Sequence, residues 1–199
     1  MGPAFPDVDL VVIGASAGGL DALRRLLSAL PADLAATVLI AQHRPAEDDL
    51  HLSMAMLLAR ECALPVEDAW DREPLRPGMV RLAPPDYHLL VDPGPVTALS
   101  KDQAVRWSRP ALDPLFESAA WVLRRRLLGI VLTGASDDGA AGARTLRSQG
   151  GELWVQDPSD ALVPTMPQAA LSQAGADHIL TLDAMCHALR GAEIGRAHV

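Results

Sequence analysis

Three positions in this 199-residue sequence carry residue types that together do acyl-transfer chemistry. A serine supplies the nucleophile, a histidine its general base, and a carboxylate orients the histidine. Ser16 lies in Val11-Val12-Ile13-Gly14-Ala15-Ser16-Ala17-Gly18-Gly19, where an apolar run meets a glycine-bracketed serine. Gly14-x-Ser16-x-Gly18 matches a nucleophile elbow, a tight strand-to-helix turn that lifts the hydroxyl above the end of a sheet. The helix that follows offers free N–H groups and a positive dipole end to a developing oxyanion. His43 ends a second apolar run, Val38-Leu39-Ile40-Ala41-Gln42-His43. A third run, Ile130-Val131-Leu132, leads into Thr133-Gly134-Ala135-Ser136-Asp137-Asp138-Gly139 and supplies two carboxylates.

Other readings stay open at this level. The glycines around Ser16 also fit a dinucleotide fingerprint with Ser16 in place of the second glycine. That reading needs an acidic residue at the end of the second strand to hold a ribose, and the strand ends in Gln42-His43 instead. A phosphate cradle and a purely structural turn are the remaining alternatives, and either aspartate taken singly suits an N-cap. The order serine, histidine, aspartate differs from the serine, acid, histidine order of α/β-hydrolases, so that fold is excluded.

The elements that must hold these residues follow from hydrophobic periodicity. Val8–Ile13, Thr37–Ala41, Leu127–Leu132, Glu152–Val155 and His178–Leu180 read as buried strands. Leu20–Leu30, Glu47–Arg60, Leu115–Arg126, Gly139–Gln149 and Met166–Gln173 read as helices, with the arginines 124–126 in a last turn where cations suit the dipole. Strands alternating with helices imply parallel pairing through crossovers. The expected fold is α/β, three-layer α/β/α, with a mostly parallel, doubly wound sheet. Residues 65–100 differ: prolines, glycines and short alternating runs predict a hairpin-rich insertion with turns at Pro84-Pro85 and Pro93-Gly94.

The length suits one domain. The formal net charge of −8 argues against binding nucleic acid or an anionic membrane surface. Cys62 and Cys186 are too far apart to form a metal-ligand pair, and they read as two free thiols. His51, His178 and His187 have no supporting ligand spacing, so no metal and no cofactor is expected. No apolar run approaches the ~18 residues of a membrane span. The first ten residues carry Asp7 and Asp9 and no basic residue, unlike a signal peptide. A cytoplasmic location and no membrane insertion are expected.

Six segments in order resemble the catalytic domain of the CheB chemotaxis methylesterases. They are Ile13–Gly19, Ala41–Pro45, Ala83–Leu89, Arg109–Phe116, Leu132–Gly142 and Met166–Ala169, and the likeness runs over residues 8–190. The resemblance implies hydrolysis of glutamate γ-methyl esters on the cytoplasmic helices of chemoreceptors, with release of methanol, and in some members deamidation of receptor glutamines. It implies Ser16 as nucleophile, His43 as general base and Asp138, directly before Gly139, as its orienter. The oxyanion donors would be the backbone N–H groups of Ala17 and Ala135. Arg44, His88 and Arg109 are candidates for the substrate cleft. The sequence departs from the family at Ala17 (usually Thr), at Arg44 (usually Met) and around Ala135. A non-catalytic receptor-binding module is the competing function. Only seven residues precede the first strand, so a regulatory receiver domain would act in trans or from a fused product. The expected domain spans residues 1–192. Residues 193–199 resemble a translated sequencing adapter, and a tail that packs against nothing is expected there.

Overall fold

A computed structural model describes residues 3–44 and 54–191. Among the described residues nine strands occur in chain order: β1 (Leu10–Ala15), β2 (Thr37–Gln42), β3 (Val66–Asp68), β4 (Val80–Leu82), β5 (His88–Asp92), β6 (Val96–Ser100), β7 (Leu127–Val131), β8 (Glu152–Gln156) and β9 (His178–Leu180). The helices are α1 (Gly19–Leu27), α2 (Met54–Ala59), α3 (Leu112–Leu123), α4 (Ala140–Ser148), α5 (Thr165–Ala174) and α6 (Leu182–Arg190). Seven strands form one sheet in the order β3-β4-β2-β1-β7-β8-β9, and every pair in it is parallel.

Every residue of β1, β2 and β7 is buried. That is why these strands read as continuous apolar runs: both faces are covered by helices. Alternate side chains serve the two faces. Val11, Ile13, Val38 and Ile40 pack with Leu23, Leu26 and Leu27 of α1, with Leu58 of α2 and with Met185 and Leu189 of α6. Leu10, Val12, Leu39 and Ala41 pack with α3, α4, α5 and the β5–β6 hairpin through Leu115, Phe116, Leu146, Met166 and Leu89. Each such leucine contributes about 1.5–3 kcal/mol relative to an exposed one. The two layers hold the middle of the sheet fixed from both sides.

β1 is a centre from which the chain builds outward, first through β2 to β4 and β3, then back to β7, β8 and β9. Connections leaving in opposite directions open a crevice at the carboxyl ends of the strands, where α/β proteins place their sites. Ser16, His43 and the loop after β7 all lie at that edge.

The α/β architecture is the expected one, with differences in detail. Only β5 and β6 of the 65–100 segment form an antiparallel hairpin, closed at Pro93-Gly94, while β3 and β4 extend the main sheet in parallel. Runs of three residues among prolines carry no signal of strand direction. The expected turn at Pro84-Pro85 sits one residue later, with Asp86 at φ 62 and Tyr87 N–H bonded to the Pro84 carbonyl. Helix α3 starts at Leu112, earlier than the apolar spacing suggested, and the three arginines form a separate 3-10 turn. Helix α6 was not anticipated at all. Of the helix expected over 47–60, the part from Met54 to Ala59 is present, Arg60 already lies in the turn that ends it, and residues 47–53 lie outside the described residues. The same holds for His51 and for the tail.

Candidate active site

Ser16 and His43, the two residues the sequence singles out, are placed by strand register. Ala15 of β1 pairs with Gln42 of β2, so Ser16 and His43 are the next residues on two adjacent parallel strands. The Ser16 N–H donates to the Thr133 carbonyl (3.0 Å) and the His43 N–H to the Ala15 carbonyl (3.0 Å). The buried Gln42 amide joins the two positions: its Nε2 donates to the carbonyls of Ser16 (2.9 Å) and His43 (3.0 Å). Small residues make the close approach possible. A Cβ on Gly134 would lie 2.8 Å from Ser16 Cβ and 2.7 Å from the Met166 methyl. Gly18 adopts φ 77, a left-handed turn into α1 that an L side chain rarely takes.

The carboxylate comes from the loop after β7. Asp138 is buried, and its Oδ2 lies 2.6 Å from His43 Nε2. The same carboxylate accepts the Leu112 N–H (2.6 Å) and the Asp113 N–H (3.0 Å), the first free donors of α3. A helix N-terminus carries unpaired N–H groups and partial positive charge, so it is a natural seat for a carboxylate. Asp113 returns the arrangement: its Oδ1 accepts the Gly142 N–H of α4 (2.7 Å). Each helix start is thus tied by an acid from the other segment. Burial, reinforced by the charges of Asp138 and Glu117, pushes the Asp113 carboxyl up to about 6 against the hydrogen bonds from α4. Asp137 points elsewhere and pairs with Arg106 at 3.1 Å, half-exposed.

Thr133 and Gly134 are braced from the far side. The Thr133 hydroxyl donates to the Ala17 carbonyl (2.9 Å) and accepts the Val163 N–H (2.9 Å). The Gly134 N–H donates to the Val163 carbonyl, and the Gly134 carbonyl accepts the Met166 N–H, each at 3.0 Å. Ala17 and Ala135 flank this brace, both exposed, and among the described residues neither backbone N–H donates a hydrogen bond.

The three suggested cleft residues are all engaged. The Arg44 side chain is buried and donates to the Ala83 carbonyl (2.6 Å) and Asp68 (3.3 Å), pinning the chain beside His43 to the ends of β3 and β4. His88 is 2 % exposed, with Nε2 at 3.1 Å from the Gln103 carbonyl, so it lies beneath the surface rather than bordering an open cleft. Arg109 donates to Asp86 and to the carbonyls of Lys101 and Asp102, which anchors the loop ahead of α3. Cys62 and Cys186 are free, and burial pushes both thiols up, away from the reactive thiolate. Among the described residues no group of three or more His, Cys, Asp or Glu is placed to hold a metal ion, and no helix is long and apolar enough to cross a membrane.

Sequence reasoning missed Gln42, Asp113 and the bracing of residues 133–134 by 163–166. Asp113 stood in a quoted segment, Arg109–Phe116, but its place in the first turn of α3 was hidden by the late helix start. Gln42 carried no signal beyond being a polar residue at the end of an apolar run.

A family profile described as CheB methylesterase matches residues 11–189. A Leptospira interrogans protein provisionally named protein-glutamate methylesterase/protein-glutamine glutaminase is 37% identical over 175 residues, covering 88% of this chain and 90% of that protein. The protein-glutamate methylesterase/protein-glutamine glutaminase of Maricaulis maris is 41% identical over 177 residues, 87% of this chain and 44% of that one. A Caulobacter vibrioides relative of the same name, numbered 2, is 40% identical over 91% of this chain and 52% of its own length. This chain therefore spans about half of the latter two. The crystal structure of the Thermotoga maritima CheB methylesterase catalytic domain superposes with a TM-score of 0.86 at 31% identity, covering 93% of this chain and 98% of that one.

Proposed function

This chain belongs to the CheB methylesterase family, and on that premise we propose that it is a serine hydrolase that removes methyl esters from glutamate γ-carboxyl groups of chemoreceptors. Ser16 is the nucleophile, His43 the general base and Asp138 the acid that orients it. The observation that carries the reading is the 2.6 Å contact between His43 Nε2 and the buried Asp138 carboxylate, at the strand end next to Ser16. With Nε2 engaged, Nδ1 is the ring nitrogen left to take the Ser16 proton.

The reaction runs in two steps. His43 takes the Ser16 proton as Oγ attacks the ester carbonyl, giving a tetrahedral oxyanion and an imidazolium beside Asp138. The free N–H groups of Ala17 and Ala135 receive the oxyanion, and each such donor contributes about 3–4 kcal/mol in comparable hydrolases. Because these donors are main-chain, an alanine at each position is compatible with the role. The carbon–oxygen bond to methanol then breaks, and the imidazolium returns its proton to the leaving methoxide. Water, deprotonated by His43, attacks the acyl-serine and releases the glutamate carboxylate and free Ser16. A glutamine amide follows the same path with ammonia leaving, in keeping with the double name of the relatives. The proposed substrate-bearing partner is the cytoplasmic helical part of a methylated receptor.

Methanol release from methylated receptor tests the assignment. Ser16→Ala should lower kcat by 10³-fold or more, in the range seen when a triad member is removed, with receptor binding retained. Wild-type release from Ser16→Ala would overturn it. Receptor binding by the wild-type protein with no methanol release would favour the non-catalytic module instead.

A further inference from the structure

The loop that leads from β6 into α3 ends its hairpin-side course in an unusual turn. Val105 and Ser108 exchange two backbone hydrogen bonds, Val105 N–H to Ser108 at 3.0 Å and Ser108 N–H to Val105 at 2.9 Å. The two central residues are Arg106 at φ 50 and Trp107 at φ 65. A turn with positive φ at both centres favours Asn-Gly, and here it holds an arginine and a tryptophan. Bulky residues are strained in this region, and such strain persists where surrounding structure enforces it, often at functional sites. The enforcement is visible. Arg106 is held by Asp137, the residue before the triad acid, and the Ser108 hydroxyl donates to the Pro110 carbonyl (2.8 Å). Arg109 bolts the loop to Asp86. The result is an indole that is fully exposed, at 101 %, on a turn fixed beside the catalytic loop.

A second exposed apolar side chain stands against the glycine turn that follows Ser16. Leu162 is 77 % exposed, yet its backbone neighbour Val163 is hydrogen-bonded to Thr133 and Gly134. Leu162 Cδ2 overlies Gly18, 2.8 Å from where a Cβ there would lie. Trp107 and Leu162 therefore come from separate segments, one tied to Asp137 beside the acid that contacts His43, the other to Gly18 and Thr133 beside Ser16. Exposed large apolar groups held in place next to a site mark an interaction surface, and a protruding Trp is the residue type most often found dominating one. The occupant follows from what lies between the anchors. Both are tied to the segments that carry Ser16 and Asp138, so the occupant that suits them is the polypeptide that brings its reacting side chain to Ser16.

We propose that Trp107 and Leu162 are the docking residues for the protein substrate, gripping apolar side chains on either side of the glutamate whose ester or amide reacts at Ser16. This rests on the hydrolase reading above and specifies how that site selects a protein over a free ester. The contacts form outside the reacting atoms, so they set KM for a protein substrate and leave the chemistry of a small ester untouched.

The test compares two substrates, methylated receptor and p-nitrophenyl acetate. Trp107→Ala and Leu162→Ala should each raise KM for the receptor by about tenfold, in the range of an interface anchor, with kcat held and small-ester kcat/KM within about twofold of wild type. Trp107→Phe should recover part of the loss. Trp121→Ala, which removes an exposed indole on α3 away from the site, should change neither substrate. Equal losses on both substrates, or no loss on the receptor, would overturn the proposal. Wild-type failure on both esters would instead count against the hydrolase reading. In that event, receptor affinity of the Trp107→Ala chain, measured directly by titration, decides the docking role: unchanged affinity rejects it.

Discussion

The two halves of the candidate site are built in opposite ways. On the acid side, between α3 and α4, the carboxylates are engaged by the protein's own N–H groups, Asp138 fully buried and Asp113 partly so. Asp138 takes three donors and Asp113 takes the α4 N–H. On the Ser16 side, Ser16 and Gly18 are half-buried, while Ala17 and Ala135 are exposed and, among the described residues, their N–H groups are unspent. Positions that must not move during turnover are locked by the protein's own hydrogen bonds, whereas positions that must meet a substrate keep theirs free. Preorganised but unpaired donors are what electrostatic catalysis requires.

Four substitutions break or sharpen this contrast, beginning with the largest effect. Asp138→Asn keeps the shape but presents an amide to His43, and kcat for methanol release should fall on the order of 10³–10⁴-fold with the circular-dichroism spectrum retained. A loss under tenfold would mean that the buried half does not orient the base. Gln42→Leu removes the one side chain that ties the Ser16 and His43 carbonyls together. Misplacement of about 1 Å costs up to 10²-fold, so steady-state kinetics should show kcat down by about ten- to a hundredfold with KM little changed.

Asp113 is read through stability. Its carboxyl is raised from the ordinary 3.8 to about 6, so between about pH 4 and pH 6 the folded state binds more protons than the unfolded one. Stability therefore falls as pH rises through that window. Asp113→Asn retains an acceptor for Gly142 and removes the charge. Its urea midpoint should exceed that of wild type at pH 7, and the gap should close by pH 4. A midpoint difference that does not change with pH would contradict the buried-carboxylate account. The smallest effect is expected at Asp137→Asn, where an exposed ion pair with Arg106 is worth little, and small-ester kcat should stay within about twofold.

Much of this was legible from the residues. Continuous apolar runs predicted the fully buried β1, β2 and β7, and the glycine turns after two of them pointed to the edge that carries the site. Asp137 and Asp138 are equal by composition and spacing, and resemblance, rather than pattern, singled out Asp138. What separates them in space is the start of α3, which lies 26 residues earlier in the chain than Asp138 and offers it two N–H groups. Such a partner has no local signature. The parallel placement of β3 and β4 was illegible for a similar reason: pairing partners of three-residue strands are chosen by the whole sheet, not by the strand.

The brace between Ala17 and Thr133 has a consequence in time as well as in space. The Thr133 hydroxyl and the Ala17 carbonyl meet across 116 residues, and Thr133 is in turn held by Val163. During synthesis the turn around Ser16 gains these supports only after Thr133, and then the 163–166 segment, have been added. Long-range contacts of this kind form late. The turn that carries Ser16 therefore stays without this framework until the contact across 116 residues can close.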